Sequence, residues 1–421
     1  MSNSRPSNFG IRFSGLVFRV SSSKSEIPNA THLFSDFEPS ISNALFQISN
    51  LKFQISKSAF HLPLFLLLIL GTSACNRITP PPISEPDRQE LANQFKKVVK
   101  DAGGAGVWVK HPARVRHGQS NELALQVLAT PQAYPNVFSA VQQETDRDHL
   151  DLGTSESTSP EHLHAVTLKV MQRTGEHVIQ IHMREVSRLL RAAIVIDDVG
   201  NDVEAARKLI ALDYPLTFSV LPYLRYTEES AQDAHRGGHE VMLHMPMEPE
   251  PNGHATPGKG AILVGMSAAD VREVVENDLE AVPYVAGVNN HMGSRATQDS
   301  ALMADVMKTL ANRHLYFIDS RTTAASVALE AARRQHLPSF YRTVFLDDTE
   351  TVAYTLGQLR EFRQTVEQQG VALAIGHPHA TTIDALEKFL PEFERADIEL
   401  VTPSQIVRLP EVASMHPPAS K

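Results

Sequence analysis

The stretch 192–198 reads Ala-Ala-Ile-Val-Ile-Asp-Asp, an apolar run that ends in two adjacent carboxylates. A run of this length between polar residues is typical of a strand that is buried on both faces. A helical pattern over 202–212 follows it, and 216–221 is a second apolar run. Buried strands that alternate with helices favour a parallel sheet covered by those helices. The stretch therefore predicts the first unit of an α/β fold.

The same alternation of strand and helix continues to about residue 401. The further predicted strands are 240–244, 285–289, 315–319, 342–346, 371–375 and 398–401. The further predicted helices are 227–236, 268–280, 299–312, 323–335, 354–369 and 382–395. About eight such units predict a distorted (β/α) barrel, which we assign to residues 191–410, with 411–421 as a tail.

Polar side chains stand where nearly every predicted strand ends. In chain order they are Asp197-Asp198, His244, Asn289-Asn290-His291, Asp319-Ser320-Arg321, Asp347-Asp348 and His377-Pro378-His379. Functional groups of such barrels gather at the carboxyl ends of the strands. Convergent Asp and His side chains favour a divalent metal such as zinc, with positions left for water. The pattern predicts a hydrolase in which one of the first two aspartates binds the metal and the other accepts a proton from water.

Several of these blocks, taken together and in order, resemble polysaccharide deacetylases, and more closely the divergent polysaccharide deacetylase branch. The blocks are Ile196-Asp197-Asp198, 216–221, 238–244, 289–294, 317–322, 374–379 and 399–403. The resemblance covers about residues 190–410. It implies a barrel of the polysaccharide deacetylase type that removes acetyl groups from an N-acetylated glycan with the help of a divalent metal, zinc being the expected ion.

The resemblance also implies roles for individual residues. By position, Asp197 would be the general base, and Asp198 and His244 would be metal ligands. His377 would be the acid that protonates the leaving amine.

The third metal ligand departs from the family pattern. The family has a second ligand histidine four residues after the first, and Glu248 occupies that place here. Either Glu248 binds the metal or His291 supplies an imidazole from the next strand. We favour His291.

Other residues near the strand ends are expected to support the site or to bind substrate: Asn290, Glu248, Asp319, Arg321 and His379. Asn290 is a candidate hydrogen-bond donor to the substrate, and Asp319 with Arg321 is a candidate ion pair. His379 could support the site or be exposed. Asp347-Asp348 is interpreted as a turn, and the long loop 249–265 as either a lid or an uninvolved insertion.

Residues 87–190 predict a small α+β domain in which no group of residues indicates chemistry. The predicted elements are a helix at 87–101 and strands at 105–110, 164–172 and 177–186, the last two forming a hairpin. The polar segment 141–160 is expected to be a surface loop.

The first part of the chain has the pattern of an export signal. The apolar run 62–70 is too short to span a membrane but suits a signal peptide, and small residues precede Cys75, the only cysteine. We expect 1–75 to be signal and upstream sequence, with the physiological start nearer residue 51, and the proline-rich 76–86 to be a linker. The protein is then expected in the periplasm or cell envelope, with membrane contact only through a lipid on Cys75.

Composition excludes several classes of protein. Of 421 residues, 42% are hydrophobic and 21% charged, which fits neither a disordered chain nor a protein with many membrane spans. The formal net charge of −9 argues against nucleic-acid binding. A single cysteine excludes an internal disulfide and a four-thiolate zinc site.

Three functions are compatible with these patterns. The first is metal-dependent deacetylation of a polysaccharide or peptidoglycan-type substrate in the cell envelope. The second is an inactive barrel that binds a glycan or an envelope partner protein, which the change at Glu248 would explain. The third is a metal-dependent hydrolase of another bond, such as an ester.

Overall fold

A computed structural model describes residues 83–417, except 111–112, 118–119, 159–163, 174 and 252–255. It also describes two short antiparallel strands, β1 (Arg12–Phe13) and β2 (Leu16–Val17). The predicted signal segment, Cys75 and the first part of the predicted linker lie outside the described residues. Those from 83 onwards belong to one compact unit. No helix among the described residues is long and apolar enough to cross a membrane.

The first half of this unit is a mixed sheet with two helices. Its elements are α1 (Glu85–Gly103), β3 (Val107–Val109), β4 (Ala113–His117), β5 (Ser120–Ala129), α2 (Tyr134–Arg147), β6 (Asp151–Thr158), β7 (His164–Met171) and β8 (His177–Glu185). The strand order is β3-β5-β8-β7-β6, with β4 also paired to β5. Only β5 and β8 pair in parallel. Apolar residues of both helices and of the sheet form one core.

The expectation of a surface loop at 141–160 is wrong. This segment contains the end of α2 and the strand β6. In α2 the apolar residues occupy one side only, with Val137 and Val141 buried. Strand β6 lies at the edge of the sheet and most of its side chains are exposed. An edge strand needs no apolar alternation, so polarity alone was a poor guide here.

The end of the predicted linker 76–86 is also corrected. Helix α1 begins at Glu85, and the Ser84 hydroxyl accepts a hydrogen bond from the backbone N–H of Asp87. Pro86 stands in the first helical turn, where a missing N–H removes no helical hydrogen bond. The last proline therefore marks the start of a helix rather than more linker.

The second half is a parallel sheet covered by helices. Its elements are β9 (Leu190–Val199), α3 (Val203–Ile210), β10 (Thr217–Val220), α4 (Thr227–Arg236), β11 (Glu240–Met247), α5 (Ala268–Ala281), β12 (Val285–Met292), α6 (Ser300–Asn312), β13 (Tyr316–Asp319), α7 (Ala328–Arg334), β14 (Ser339–Tyr341), β15 (Val344–Phe345), α8 (Val352–Gln369), β16 (Val371–Gly376), α9 (Ala380–Arg395), β17 (Ile398–Leu400) and α10 (Pro403–Ile406). The strand order is β14-β13-β12-β11-β10-β9-β16-β15, and β17 also pairs with β9. This architecture confirms the predicted α/β fold of the distorted barrel type.

The distortion lies where the predicted strand 342–346 divides into two. Strand β14 pairs with β13, whereas β15 pairs with β16 at the opposite end of the sheet. Between them, the N–H of Arg342 donates to Asp319 O at 2.9 Å and that of Thr343 donates to Leu373 O at 2.8 Å. One crossing segment therefore joins the two edges of the curled sheet.

Charged contacts fasten the first sheet to the barrel. Lys110 pairs with Asp397 and donates to Glu394 O at 2.8 Å, and Arg184 pairs with the same Asp397 carboxylate. Although burial alone would raise the pKa of Asp397, these two cations hold it below its ordinary value. The Arg191 guanidinium donates to Ala105 O and pairs with Glu399 at 3.2 Å.

One buried acid on a helix of the barrel, Asp278, lowers the stability of the folded protein at neutral pH. Asp278 of α5 is fully buried, and neither carboxylate oxygen has a hydrogen-bond partner among the described residues. Burial raises its pKa to about 7, and the neighbouring Tyr223 and Lys259 oppose that shift only in part. The folded state therefore binds more protons than the unfolded state between about pH 4 and 7, so stability from this group falls as pH rises through that range.

We predict that Asp278→Asn stabilises the protein on the order of 2–4 kcal/mol above pH 7, because the amide carries no charge to desolvate. The gain should shrink towards pH 5. Urea unfolding of both proteins at pH 5, 6, 7 and 8 measures it, with the exposed Glu273→Gln on the same helix as control. A gain that does not grow with pH would contradict the assignment.

Candidate active site

Two adjacent aspartates enter one site because β9 bulges near its carboxyl end. Between two positions paired with β10, β9 has one residue more than its partner. Asp198 has a φ of 56°, in the left-handed region that few residues other than glycine adopt. On a regular strand, neighbouring side chains point to opposite faces. Here Asp197 Oδ2 and Asp198 Oδ1 lie 3.6 and 3.2 Å from Nε2 of His244.

Three side-chain atoms converge in this site, namely Asp198 Oδ1, His244 Nε2 and His291 Nδ1. The Asp198 oxygen lies 3.2 Å from the His244 nitrogen and 2.9 Å from the His291 nitrogen, and the two nitrogens are 3.2 Å apart. Ligands held at about 2.0–2.1 Å around a tetrahedral ion are separated by about 3.3 Å. Asp198 Oδ1 is buried and has no partner in hydrogen-bond geometry. One carboxylate and two imidazoles at these separations fit a divalent metal.

The charge of Asp198 suits a metal ligand. Burial alone would raise its pKa, but the imidazoles of His244 and His291 outweigh that effect and hold the pKa well below its usual range. Asp198 is therefore ionised throughout the neutral range.

Asn289 fixes the orientation of the groups around it. Its Nδ2 donates to Asp197 Oδ1 at 2.8 Å, which leaves Oδ1 of the amide to accept from Ser219 Oγ at 2.5 Å and from His244 Nδ1 at 2.8 Å. Neutral His244 consequently keeps its proton on Nδ1 and presents the lone pair of Nε2 to the site. Sequence reasoning gave Asn289 no role; its place in the strand-end block Asn289-Asn290-His291 was the available signal.

Asp197 has the properties of a proton acceptor. Its side chain is buried at 3% exposure, and burial raises its pKa although His244, His377 and Asn289 act in the opposite direction. It lies beside the three-atom group without being one of the three. Its raised pKa brings it closer to the range in which a general base works at neutral pH.

His377 approaches the other carboxylate oxygen of Asp198, with Nε2 3.8 Å from Oδ2. Its Nδ1 faces Asp347 Oδ1 at 3.0 Å, and its backbone N–H donates to Asp347 Oδ2 at 2.6 Å. Thr382 Oγ1 donates to the same oxygen at 2.7 Å. Burial lowers the pKa of His377, but Asp347 and the charge of Asp197 raise it to about 9. His377 therefore carries a proton on Nε2 at neutral pH.

Asp347 is thus a residue that sequence reasoning missed. It was interpreted as part of a turn, yet it is 4% exposed and holds the His377 ring. The sequence did contain a signal for this role. Asp347 comes directly after the predicted strand 342–346, and the other aspartates of the site also stand at strand ends. Its neighbour Asp348 is exposed, as a turn residue would be.

The two candidates for the third ligand lie in different surroundings. His291 belongs to the three-atom group. The Glu248 side chain is occupied elsewhere: Oε2 accepts from the backbone N–H of Val264 at 2.6 Å, and Oε1 pairs with Arg295 at 2.5 Å. Glu248 thereby ties the loop 249–265 to the strand that precedes it.

Asn290 does not fit its predicted role as a donor to the substrate. It is fully buried, its Oδ1 accepts from the backbone N–H of Ser320 at 2.9 Å, and its Nδ2 donates to Met292 O at 2.8 Å. Both ends of the amide therefore hold main chain, and the residue braces the ends of β12 and β13.

The predicted ion pair of Asp319 with Arg321 is not formed. Asp319 accepts from the backbone N–H of Arg321 at 2.8 Å and from Ser326 Oγ at 2.8 Å, so its carboxylate shapes a turn. His379 lies next to the site, with its ring 5.6 Å from that of His377 and Nε2 3.7 Å from Glu350.

This fold and this group of side chains define a barrel of the deacetylase type, and the chain belongs to the divergent polysaccharide deacetylase family, whose model matches residues 194–407. It is 33% identical to the uncharacterized protein YibQ of Escherichia coli K12 over 228 residues, 54% of this chain and 70% of YibQ. It is 36% identical to an uncharacterized protein of Haemophilus influenzae over 230 residues, 54% of this chain and 80% of that protein. The solved structure of the uncharacterized protein ATU2773 from Agrobacterium tumefaciens C58 is 27% identical, with a TM-score of 0.50, and the match covers 52% of this chain and 89% of that one. The family resemblance is therefore confirmed.

We predict that His291→Ala weakens divalent metal binding by more than about 100-fold, because it removes one of three converging donors, whereas loss of a mere supporting contact costs about 10–100-fold. Glu248→Gln should bind the metal as the unaltered protein does. Calorimetric titration with zinc or cobalt measures the metal affinity of both variants. If Glu248→Gln weakened metal binding more than His291→Ala does, Glu248 would be the ligand.

Asn289→Ala should lower metal affinity by about 10–100-fold without removing any donor, since His244 then loses the acceptor that holds its proton on Nδ1. The same titration measures it, with the exposed Asn312→Ala as control. Unchanged affinity in Asn289→Ala would show that the amide does not control His244.

Proposed function

We propose that this protein is a metal-dependent hydrolase of the cell envelope that removes acetyl groups from an N-acetylated polysaccharide or peptidoglycan-type glycan. The observation that carries the proposal is the set of groups around the three converging donors. A buried acid with a raised pKa, Asp197, has Oδ2 3.6 Å from His244 Nε2, and a protonated imidazole, His377, has Nε2 3.8 Å from Asp198 Oδ2. Family membership supports the class of substrate.

Asp198, His244 and His291 would hold the divalent ion, and their mixed N/O donors make zinc the expected one. When bound, such an ion polarises a carbonyl and lowers the pKa of water. Asp197 then accepts the proton of the attacking water, and the amide of Asn289 holds its carboxylate in place. This step needs a base that is ionised but close to its pKa.

His377 donates the proton that the leaving amine requires. Asp347 keeps the other ring nitrogen engaged, so the donated proton is the one on Nε2, which faces the site. A raised pKa ensures that the imidazole is charged at the start of the reaction. Base and acid thus both lie beside the same centre, so one can accept the proton of water and the other can protonate the leaving amine.

The location in the cell envelope is part of the proposal and is supported by the sequence alone. The apolar run 62–70 followed by Cys75 suits export and lipid attachment, and a glycan of the envelope would then lie within reach of a tethered barrel.

We predict one divalent ion per chain in the purified protein and acetate release from chito-oligosaccharides or peptidoglycan fragments. Asp198→Ala and His244→Ala should lose both. Asp197→Asn and His377→Ala should keep the ion but release acetate at least about 100-fold more slowly, since general acid–base groups contribute about that much or more. Metal analysis and an acetate assay measure these effects, with the exposed Asp384→Asn as control.

Absence of stoichiometric zinc, cobalt or nickel together with absence of acetate release would reject the enzyme and favour a barrel that only binds its glycan or partner. Acetate release from esters but not from amides would assign the hydrolysis to another bond.

A further inference from the structure

Arg342 is a partly buried cation without a carboxylate partner. It stands on the segment that crosses between β14 and β15, and its Nε donates to Ser320 O at 2.7 Å and its Nη2 to Arg321 O at 2.8 Å. No ion pair among the described residues includes it, although the charges of Asp348, Asp319 and Asp197 act on it from a greater distance. Two main-chain carbonyls thus hold the guanidinium plane without neutralising it.

The remaining guanidinium nitrogen is free to bind. Nη1 of Arg342 has no partner among the described residues, and it is not a buried atom. Of the nearby acids, Asp319 accepts from the Arg321 N–H and the Ser326 hydroxyl and makes no ion pair with Arg342 among the described residues. The N–H groups of Nη1 are therefore offered to a group from outside the chain.

Phe345 connects this cation to the reacting end of the site. Its half-buried ring lies 4.9 Å from the Arg342 guanidinium and 5.3 Å from the ring of His377. Phe345 pairs with Ile375 of the neighbouring strand β16. Ile375 precedes His377 by two residues, so this pairing fixes Phe345 near the histidine. The part of this ring that stays exposed gives an apolar surface, near both the proton donor and the cation, suited to the C–H face of a sugar.

We infer that Phe345 and Arg342 form a subsite for a sugar that carries a carboxylate, next to the acetamido group that is cleaved. The inference rests on the proposed function and narrows its substrate to acidic amino-sugar glycans. A guanidinium binds a planar carboxylate through charge-assisted hydrogen bonds, and its fixed plane selects the direction of approach. The protein as a whole has a formal net charge of −9, so an anionic ligand would be repelled unless a local cation received it.

The probe is the disaccharide of N-acetylglucosamine and N-acetylmuramic acid with its free lactyl carboxylate, compared with the same disaccharide as its carboxamide. The full chain is assayed for acetate release and, separately, for binding by calorimetry. The variants are Arg342→Met, which removes the charge, and Arg342→Lys, which keeps the charge but lacks the planar guanidinium with its paired N–H donors. Arg360→Met, an exposed arginine of α8, is the matched control.

The unaltered protein and Arg360→Met should prefer the carboxylate over the carboxamide by about 10–100-fold, the range of a charge-assisted hydrogen bond. Arg342→Met should lose that preference, and Arg342→Lys should retain part of it. If Arg342→Met fails to fold, as judged by circular dichroism, the Arg342→Lys ratio decides. The subsite is overturned if the unaltered protein binds and cleaves the two disaccharides equally well. It is also overturned if the Arg342 variants keep the full preference for the carboxylate.

The two proposals fail in different ways. Binding that prefers the carboxylate and depends on Arg342, without acetate release, supports the subsite and rejects the deacetylase. Acetate release without any preference rejects the subsite and leaves the deacetylase standing.

Discussion

The amide of Asn289 is the contact on which the site depends. Its two ends join Asp197 of β9, Ser219 of β10 and His244 of β11 to its own strand β12. All four side chains are buried, so each unpaired polar atom would destabilise the fold by about 1–3 kcal/mol. Only one orientation of the amide satisfies a carboxylate on one side and a ring N–H on the other. The register of four neighbouring strands and the tautomer of one imidazole are therefore set together.

A second constraint is charge. The bulge of β9 places a buried carboxylate, Asp197, beside a partly buried one, Asp198, which is unfavourable unless positive charge is close by. The imidazoles of His244, His291 and His377 are the neighbours that can supply it. A protonated imidazole and a bound cation are alternative ways to meet the same demand, so ion binding would release protons from this pocket.

The sequence predicted much of the barrel because its strands are continuous apolar runs that end in polar groups. The strand ends also identified the residues that converge, including His291.

Side-chain partners could not be predicted from the sequence in the same way. Asp347 lies in an acidic pair that also suits a turn, and only the fold reveals that it is buried against His377. Asn290 looks like a substrate donor in sequence, but the paths of β12 and β13 bring main chain to both ends of its amide. In the first half of the chain, β6 escaped detection because edge strands are not required to be apolar.

The divided strand β14–β15 leaves one strand pair of the barrel, β15 with β16, weakly joined. The proposed ligands come from β9, β11 and β12, where β11 and β12 are paired over seven positions. His377 follows β16, which is paired with β9 over six positions and with β15 over only two, whereas Asp347 follows β15. Fewer hydrogen bonds hold β15 than β16, so local opening starts more readily at the strand before Asp347. The three proposed ligands and the strand before His377 thus belong to the well-paired part of the sheet, whereas Asp347, which orients the imidazole, follows its least-paired strand. Adjustment of the site to a bulky polymer would therefore start at the carboxylate behind the proton donor and not at the metal ligands.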